Sequence, residues 1–508
     1  MVMVIALLLV AVSAASAQRP RVAAPADQSV LQRISPDSLR GHLSFLASDL
    51  LEGRDTPSRG LDLAAEYIAA QFRRAGLEPA GDAGFFQTAN WRIQEAPIEG
   101  RSLTIGAGGK SWRVAPGDLA FQAAAPVSVA ADTVVKMAPG GAAPEAGSLM
   151  GKVVLAQLPE LAGVPREQAA PLFRARNELI AGLRAAGPRL ILFLQPRASL
   201  FTRMPPARLV DPELPPAPRP PSGAPVVTVV NTDLAAWFGE LPAGESAGTV
   251  TLTLPPLTER PVRLHNVAGV LRGSDPALKN TCVIVSAHYD HLGVAPDGGE
   301  DRIFNGANDD GSGTVSVIEL AGALAARKPA PRRSILFLTF FGEEKGLLGS
   351  RYYGRHPVFP IEKTVAHVNL EQVGRTDDTE GAQVNAASLT GFDFSDVGPI
   401  LAEAGARIGI RIFKHPRNSD AFFGRSDNQA LADLGVPAHT LCVAYVYPDY
   451  HGLADHWEKV DYANMAQVNR AVALGLLALA ERREEPAWNP MNPRAESYRQ
   501  AWEKRRKR

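Results

Sequence analysis

The sequence predicts an α/β fold in which helices flank a mostly parallel mixed sheet. Two near-continuous apolar runs, 282–287 and 335–340, are separated by a helix-like segment at 314–326. Strands that are buried on both faces are apolar without alternation, and parallel strands need a crossover of this kind between them. A further strand-like run at 439–446 follows a turn at 434–437. The predicted sheet therefore lies in the second half of the chain.

Capping residues predict helices on either side of this region. Ser35 and Pro36 form a helix start, and a second predicted helix stops at Gly76. A long terminal helix is expected to begin at a cap at Asn464. Apolar residues recur at helical spacing in the first of these helices: Leu39, Leu43, Leu46 and Leu50.

The middle of the chain differs in its predicted strands and helices and in its proline content, and we interpret it as a module inserted into the main domain. It contains strand-like runs at 152–156, 189–194 and 225–230 and a helix-like segment at 174–185. The proline-dense stretch 204–225 is expected to be loop or polyproline structure. The expected organisation is a signal peptide at 1–17, a first part of the main domain at 30–109, the insert at 110–257, the rest of the main domain at 258–485 and a polar basic tail at 486–508.

Length and charge narrow the class of protein. A chain of 508 residues is too long for one ordinary core, so two domains are expected. Lys and Arg together number 53, as do Asp and Glu, so the formal net charge is zero. Nucleic-acid and membrane-surface partners usually require a basic surface, so we expect neither. Cys282 and Cys442 lie in apolar runs and are expected to be core residues, too few for a cysteine-based zinc site.

The N-terminus predicts export from the cell. Residues 1–12 are apolar, and 15–17 (ASA) supply the small residues that a signal peptidase accepts, although no Lys or Arg precedes the apolar run. The run is too short for a permanent membrane anchor. We expect a mature chain that begins at Gln18 and a secreted or periplasmic protein without a stable membrane anchor. N-terminal sequencing of the exported protein checks this prediction.

Candidate metal ligands fall where the predicted strands end. Active groups of open α/β sheets gather beyond the carboxyl ends of the strands, so these side chains are expected to converge. Asp309 lies in a loop just before the predicted helix at 314–326. The other candidates directly follow four strand-like runs: His288 with Asp290, Glu343 with Glu344, Glu371, and His451.

The spacing of these residues suits a metal-dependent hydrolase. His288 and Asp290 are two apart and point to one face of an extended chain, so the aspartate can hold the imidazole as a ligand. Glu343 and Glu344 are adjacent and diverge, so one can bind metal while the other takes a proton from water. Asp309 can bridge two ions about 3.5–4 Å apart. His291 either supports a ligand or is a satisfied polar group, and the sequence leaves both open.

These segments resemble a known family, the two-zinc exopeptidases grouped as family twenty-eight of the metallopeptidases, which includes secreted leucyl aminopeptidases and glutamate carboxypeptidases. The resemblance also extends to residues 43–78, and the insert resembles the protease-associated domain that many relatives carry. The matching segments are 287–293 (AHYDHLG), 306–313 (GANDDGSG), 341–344 (FGEE), 349–350 (GS), 369–375 (NLEQVGR) and 449–451 (DYH).

The resemblance implies a zinc exopeptidase fold that holds two zinc ions. One zinc would take His288, a bridging Asp309 and Glu371, and the other would take Asp309, Glu344 and His451. Glu343 would be the general base, and Asp290 would support His288.

Two further implications concern the surroundings of the zinc ions. Tyr450 stands where some relatives place a group near the tetrahedral intermediate. The resemblance also implies a cis peptide bond between Asp309 and Asp310.

Two positions depart from the family's pattern. The family usually has Asp where this chain has Glu371, and the longer arm could alter the geometry or occupancy of that metal site. Many relatives have His where this chain has Asn428, in the segment 425–428, which puts the substrate contacts there in doubt.

The function implied is hydrolysis of peptide bonds through a metal-activated water, with peptides as substrates. An aminopeptidase is expected before a carboxypeptidase, because the latter needs a cationic pocket for the substrate carboxylate. Arg375 or Arg425 could supply that pocket, but the sequence does not show it. A glutaminyl-cyclase-type acyltransferase with one metal is an alternative that Glu371 keeps open. A non-catalytic, receptor-like binding protein on the same scaffold is another, although every ligand position keeps a metal-competent side chain. The sequence does not specify side-chain preference, oligomeric state or physiological substrate.

Overall fold

The computed structural model describes residues 25–506, except for 96, 108, 123–125, 132–133, 139–143, 159–165, 197–206, 216–223, 247 and 296–298. The predicted signal peptide therefore lies outside the described residues, as does the expected mature N-terminus at Gln18, and both stay predictions. Among the helices that are described, none is long and apolar enough to cross a membrane.

The chain divides into two compact units, one formed by Met1–Ala89 with Leu264–Arg508 and the other by Asn90–Arg263. The second unit is longer at both ends than the predicted insert 110–257. The reason is strand pairing: Ser102–Ala107 pairs antiparallel with both Lys110–Val114 and Gly248–Leu254, so residues before 110 belong to the same sheet.

The first unit is built on a mixed sheet whose centre is parallel, which confirms the predicted α/β class. In the centre, Cys282–His288 pairs in parallel with Ser334–Phe340 on one side and with Thr364–Leu370 on the other. The next strand, Ala438–Cys442, is parallel to Thr364–Leu370. All four strands are buried along their whole length, which explains their continuous apolar sequence.

Outer strands extend this sheet in both directions. Thr258–Leu271 pairs antiparallel with Ser334–Phe340, and Ala386–Leu389 pairs antiparallel with Ala438–Cys442. The remaining strands of this unit are Glu78–Pro79, the start of Phe86–Glu95 and Arg411–Phe413, and short two-residue pairs lie outside the sheet at Gly293–Val294, Ile303–Phe304, Asp377–Asp378 and Gly381–Ala382. Ala207–Val210 pairs antiparallel with the last residues of Phe86–Glu95, which belong to the second unit. Since Ala207–Val210 is a strand, the expectation of loop or polyproline structure throughout 204–225 was wrong there; these four residues contain no proline.

Helices cover the sheet of the first unit. Ser312–Ala325 follows the central strand and is buried on almost every side, and Tyr462–Glu481 packs against Val397–Ala406. The other α-helices of this unit are Pro25–Arg33, Pro36–Leu46, Arg59–Ala75, Leu348–Arg355, Asn418–Ala421, Asn428–Ala432 and Glu496–Arg506.

The capping residues behave partly as predicted. The hydroxyl of Ser35 accepts from the backbone N–H of Ser38, and Gly76 ends its helix with a φ of 77°. The terminal helix is instead capped by Asp461, whose side chain accepts from the N–H of Asn464, so that cap lies three residues earlier than predicted. Leu50, which was predicted on the helix of Leu39, Leu43 and Leu46, instead lies beyond the end of Pro36–Leu46 and is exposed.

The C-terminal segment 486–508, predicted as a polar basic tail, also contains buried and helical residues. Trp488 and Ala495 are buried in the core of the first unit, and Glu496–Arg506 is helical. Arg505 donates to the backbone carbonyls of Ile361 and Thr364. The basic residues follow the buried residues Trp488 and Ala495, and a count of charges does not reveal that the segment is held in this way.

The second unit contains two sheets. One has the strand order Gly244–Ser246, Val134–Lys136, Val153–Ala156, Leu190–Gln195, Val226–Val230 and Leu119–Gln122, and the other has Lys110–Val114, Ser102–Ala107, Gly248–Leu254 and Val127–Ala131. Its helices are Arg166–Ala185 and Thr232–Glu240. That this unit is a protease-associated-type domain stays a prediction.

Candidate metal centre

The parallel strands of the first unit deliver the predicted ligands to one edge of the sheet. His288 is the last residue of its strand, and Glu371 directly follows Thr364–Leu370. Glu343 and Glu344 come after Ser334–Phe340, separated from it by a turn in which Gly342 has a φ of 67°. Because these strands are parallel neighbours, their carboxyl ends meet, as the sequence analysis expected.

Asp309 lies at the centre of the cluster, between two histidines. Its Oδ1 is 3.4 Å from Nε2 of His288, and its Oδ2 is 3.0 Å from Nε2 of His451. Nε2 of His451 is also 3.3 Å from Oε1 of Glu344. The two oxygens of one carboxylate thus face two different imidazoles, which is the arrangement that a bridging ligand requires.

Two sets of donor atoms could each hold a metal ion, and they share Asp309. One set is His288, Asp309 and Glu371, and the other is His291, Asp309 and Glu344; within each set the donor atoms lie within 4.8 Å of one another. His451 reaches the second set through the contacts just given. The structure therefore brings together all five predicted ligands and adds His291.

The donors fit zinc in their spacing. Zinc bonds of about 2.0–2.1 Å in a tetrahedron put neighbouring donors roughly 3.3 Å apart. Among the predicted ligands, the imidazole nitrogen and carboxylate oxygen lie 3.4 Å apart in His288–Asp309, 3.0 Å in His451–Asp309 and 3.3 Å in His451–Glu344. In addition, Nε2 of His288 and Oε2 of Glu371 are buried and make no hydrogen bond. Buried polar atoms are normally satisfied, so atoms aimed inward without a partner are expected where a cation binds.

The charge of the cluster also favours a bound cation. Burial, only partly offset by His288, raises the pKa of Glu371 to about 7. Burial likewise raises the pKa of Asp427 to about 7 and that of Glu343 well above its usual value. Buried carboxylates repel one another and lose hydration, so the charged forms are stable together only with a positive partner. Zinc ions would supply that charge.

Glu343 is placed as the predicted base requires. Its Oε2 lies 3.9 Å from Nε2 of His288, and its backbone N–H donates to Oδ1 of Asp290 over 3.0 Å. Asp290 therefore supports Glu343 as well as His288. Nδ1 of His288 lies 3.2 Å from the backbone carbonyl of Asp290 and 3.6 Å from its carboxylate, so the predicted carboxylate–imidazole bond is replaced here by a bond to the backbone.

The ligand loop that carries Asp309 is held by groups that the sequence analysis did not identify. The buried carboxylate of Asp455 accepts the backbone N–H groups of Asn308 and Asp309 and the hydroxyl of Tyr447. The peptide bond between Asp309 and Asp310 is cis, as predicted. The sequence feature that points to Asp455 is its position four residues after His451 in the same loop.

Arg54 and Asp427 were also missed. The buried guanidinium of Arg54 donates to the backbone carbonyls of Tyr289, Asn305 and Gly306, which ties the end of the strand Cys282–His288 to the start of the ligand loop. Asp427 is buried, and neither of its oxygens makes a hydrogen bond of ordinary geometry, although Ser350 lies near enough to lower its pKa somewhat. No spacing rule identifies these residues, because they reach the site only through the fold.

The loop of His451 is fixed by aromatic and charged neighbours. Tyr450 stacks on the ring of His451 with centroids 4.0 Å apart, which places this predicted residue at the rim of the cluster. Asp449 accepts from Arg375 and Lys459, and Arg375 also pairs with Asp377. Arg375 is thus engaged on both sides of its guanidinium.

Part of the chain is similar in sequence to known peptidases. Residues 266–475 match the model of peptidase family M28. A vacuolar membrane protease from Aspergillus niger is 31% identical over 238 residues, which are 42% of this chain and 21% of that protein. A probable leucine aminopeptidase 2 from Aspergillus oryzae is 27% identical over 181 residues, 34% of this chain and 32% of that protein. The chain thus spans about a fifth to a third of the length of these relatives.

Solved structures resemble nearly the whole chain. An aminopeptidase from Aneurinibacillus sp. strain AM-1 has a TM-score of 0.56 at 19% identity, covering 92% of this chain and 98% of that one. A zinc aminopeptidase from Bacillus subtilis has a TM-score of 0.56 at 20% identity, covering 89% and 96%. At this identity the resemblance shows that the fold is shared.

Proposed function

This chain belongs to peptidase family M28 through residues 266–475, and we propose that it is a two-zinc aminopeptidase. The observation that carries the proposal is a pair of buried donor sets that share Asp309. One ion would be held by His288, Asp309 and Glu371, and the other by Asp309, Glu344 and His451. Peptides are the proposed substrates.

Zinc at these positions would lower the pKa of a bound water and polarise the scissile carbonyl of the substrate. Glu343 is the proposed general base, because its carboxylate faces His288 from the edge of the cluster and its backbone is fixed by Asp290. The carboxylate accepts the proton of the attacking water and then donates it to the leaving amine. Burial raises the pKa of Glu343 well above its usual value, so this carboxylate accepts a proton more readily than an exposed one.

The state of the two candidate arginines favours an aminopeptidase over a carboxypeptidase. A carboxypeptidase needs a cation for the substrate's terminal carboxylate, but Arg375 is buried and already paired with Asp377 and Asp449. Arg425 is exposed and lies over the ring of Phe422, and no ion pair of Arg425 is present among the described residues. Of the two candidate arginines, Arg425 is therefore the one still able to bind a substrate carboxylate.

The surplus of acidic groups supports the same choice. Glu371 and Asp427 lie close enough for the charge of Asp427 to raise the pKa of Glu371, and Glu343 is affected by both. A free α-ammonium group is the end of a peptide that such a surrounding attracts, whereas a terminal carboxylate is repelled. A cyclase-type enzyme with one metal would leave one of the donor sets unused.

The experiment compares four kinds of substrate, each with and without a chelator. They are aminoacyl-anilides, N-acetylated aminoacyl-anilides, peptides blocked at the carboxyl end, and N-acetylated peptides with a free carboxyl end. An aminopeptidase cleaves the free aminoacyl-anilides and the carboxyl-blocked peptides, loses this activity with chelator and regains it with zinc. Cleavage of N-acetylated peptides with a free carboxyl end would overturn the proposal in favour of a carboxypeptidase. Arg425→Gln tests that outcome, since it would abolish only the carboxypeptidase activity.

A further inference from the structure

His291 is buried beside the metal cluster in a position built around its ring. Gly306 has a φ of 56°, and a Cβ at that residue would lie 2.4 Å from Cγ of His291. Any larger residue at 306 would therefore displace the imidazole. The backbone N–H of His291 donates to the carbonyl of Arg54, which fixes the main chain as well. Ring and backbone are thus both confined.

The two nitrogens of His291 have different surroundings. Nδ1 lies 2.8 Å from Oε1 of Glu344, and Nε2 is buried without a hydrogen bond. Oε1 of Glu344 is also 3.3 Å from Nε2 of His451, whose ring stands edge-on to that of His291 with centroids 5.7 Å apart. A single carboxylate oxygen therefore lies between two imidazoles, of which the proposed function uses one as a ligand.

We propose that His291 is a positioning residue, whose Nδ1–H donates to Glu344 and holds that carboxylate in place for the second zinc ion. The inference rests on the proposed function, since it assigns a role at the same metal centre. A carboxylate ligand that also accepts a hydrogen bond keeps its orientation when the metal is absent, which lowers the free-energy cost of binding the metal. His291 would therefore set the affinity of one site and leave the site of His288 unaffected.

The contacts of Nδ1 favour a hydrogen bond from His291 to Glu344 over coordination of zinc by that nitrogen. The 2.8 Å separation is that of a hydrogen bond, whereas two donors on one zinc ion lie roughly 3.3 Å apart. A histidine that binds metal nearly always donates its other N–H to an acceptor, and Nε2 of His291 has none. With the proton on Nδ1, Nε2 carries only a lone pair, and the Asp309–Glu344–His451 set keeps a free place for water, as catalytic zinc sites do.

The test uses three substitutions of His291 that separate shape from hydrogen bonding. His291→Asn can place its amide N–H where Nδ1 stands, His291→Gln puts the same group where Nε2 stands, and His291→Phe keeps a ring without a donor. His42→Phe makes the same change at another buried histidine, which is bonded to Tyr67 and outside the cluster. If His291→Phe fails to fold, the comparison of His291→Asn with His291→Gln still tests whether a hydrogen bond at the position of Nδ1 is needed.

Zinc affinities of the two sites are measured by competition with a chelator, and Co²⁺ absorption reports the coordination of each site. We expect His291→Phe and His291→Gln to weaken one site by about 10–100-fold, with the other site unchanged and His291→Asn close to the wild type. His42→Phe should bind both ions normally.

Three results would overturn the inference. Unchanged zinc affinity in His291→Phe or His291→Gln would show that Glu344 needs no support. A loss of affinity in His291→Asn as large as in His291→Phe, with an altered Co²⁺ spectrum at that site, would make His291 a ligand. A wild-type protein that binds fewer than two zinc ions would remove the proposed two-zinc centre itself, a failure distinct from the other two.

Discussion

Replacing Asp455 by alanine would remove the carboxylate that joins the two loops of the proposed metal centre. Asp455 is fully buried and accepts from the backbone N–H of Asn308 over 3.0 Å, from that of Asp309 over 3.2 Å and from the hydroxyl of Tyr447 over 2.8 Å. It thereby connects the loop of the bridging ligand to the loop of His451.

The expected magnitude follows from these contacts. Asp455→Ala leaves three buried donors without an acceptor, and each unsatisfied group costs about 1–3 kcal/mol, so the free energy of unfolding should fall by at least about 3 kcal/mol. Tyr447→Phe removes one donor and leaves the carboxylate bonded to the backbone, which should cost only about 0.5–1.5 kcal/mol. Zinc affinity should fall by about 10–100-fold in Asp455→Ala, because supports of metal ligands have effects of that size.

Urea unfolding of the zinc-free proteins measures the free energy of unfolding without the contribution of bound metal. Competition with a chelator measures the zinc affinity. Asp301→Ala is the control, because Asp301 is a largely exposed acid whose loss should change stability by no more than about 0.5 kcal/mol. An Asp455→Ala variant that unfolds at the wild-type urea concentration and keeps its zinc affinity would refute this reasoning.

Three further outcomes are expected. Glu343→Gln should retain both zinc ions and lose activity by about 10²–10⁴-fold in kcat, and an active variant would exclude Glu343 as the base. Zinc titration of the apo-enzyme should give two equivalents of unequal affinity, with the weaker one lost in Glu371→Ala; a single equivalent that gives full activity in both proteins would contradict the assignment of Glu371. Burial lowers the pKa of His439 to about 4, below its unfolded value of about 6.5, so its contribution to stability is complete above pH 6.5 and is lost as the pH falls toward 4. Compared with His439→Gln by chemical unfolding at pH 7 and pH 4.5, the wild type should therefore lose about 2–3 kcal/mol more on acidification, and equal losses would contradict the burial argument.

The periodic part of the fold was predictable from the sequence. The strands Cys282–His288 and Ser334–Phe340 agree with the predicted runs to within one residue at each end, because burial on both faces leaves a continuous apolar signature. The same reasoning placed the ligands at strand ends. The cap predicted at Asn464 and the tail predicted at 486–508 show the limit of local patterns. Which side chain caps a helix depends on the path of the chain before its first turn, and Asp461 is the cap here. A basic run gives no sign of the buried Trp488 in the same segment.

What the sequence alone determined is the chemistry of the cluster: acids and imidazoles at the ends of parallel strands, in an order and spacing that identify the family. Only the tertiary structure decided which of them meet. His291, Asp427 and Asp455 come from separate segments, and their contacts depend on how three loops pack over one sheet edge. Strand and helix periodicity are local properties of the chain, whereas the position of a loop side chain is set by partners distant in sequence.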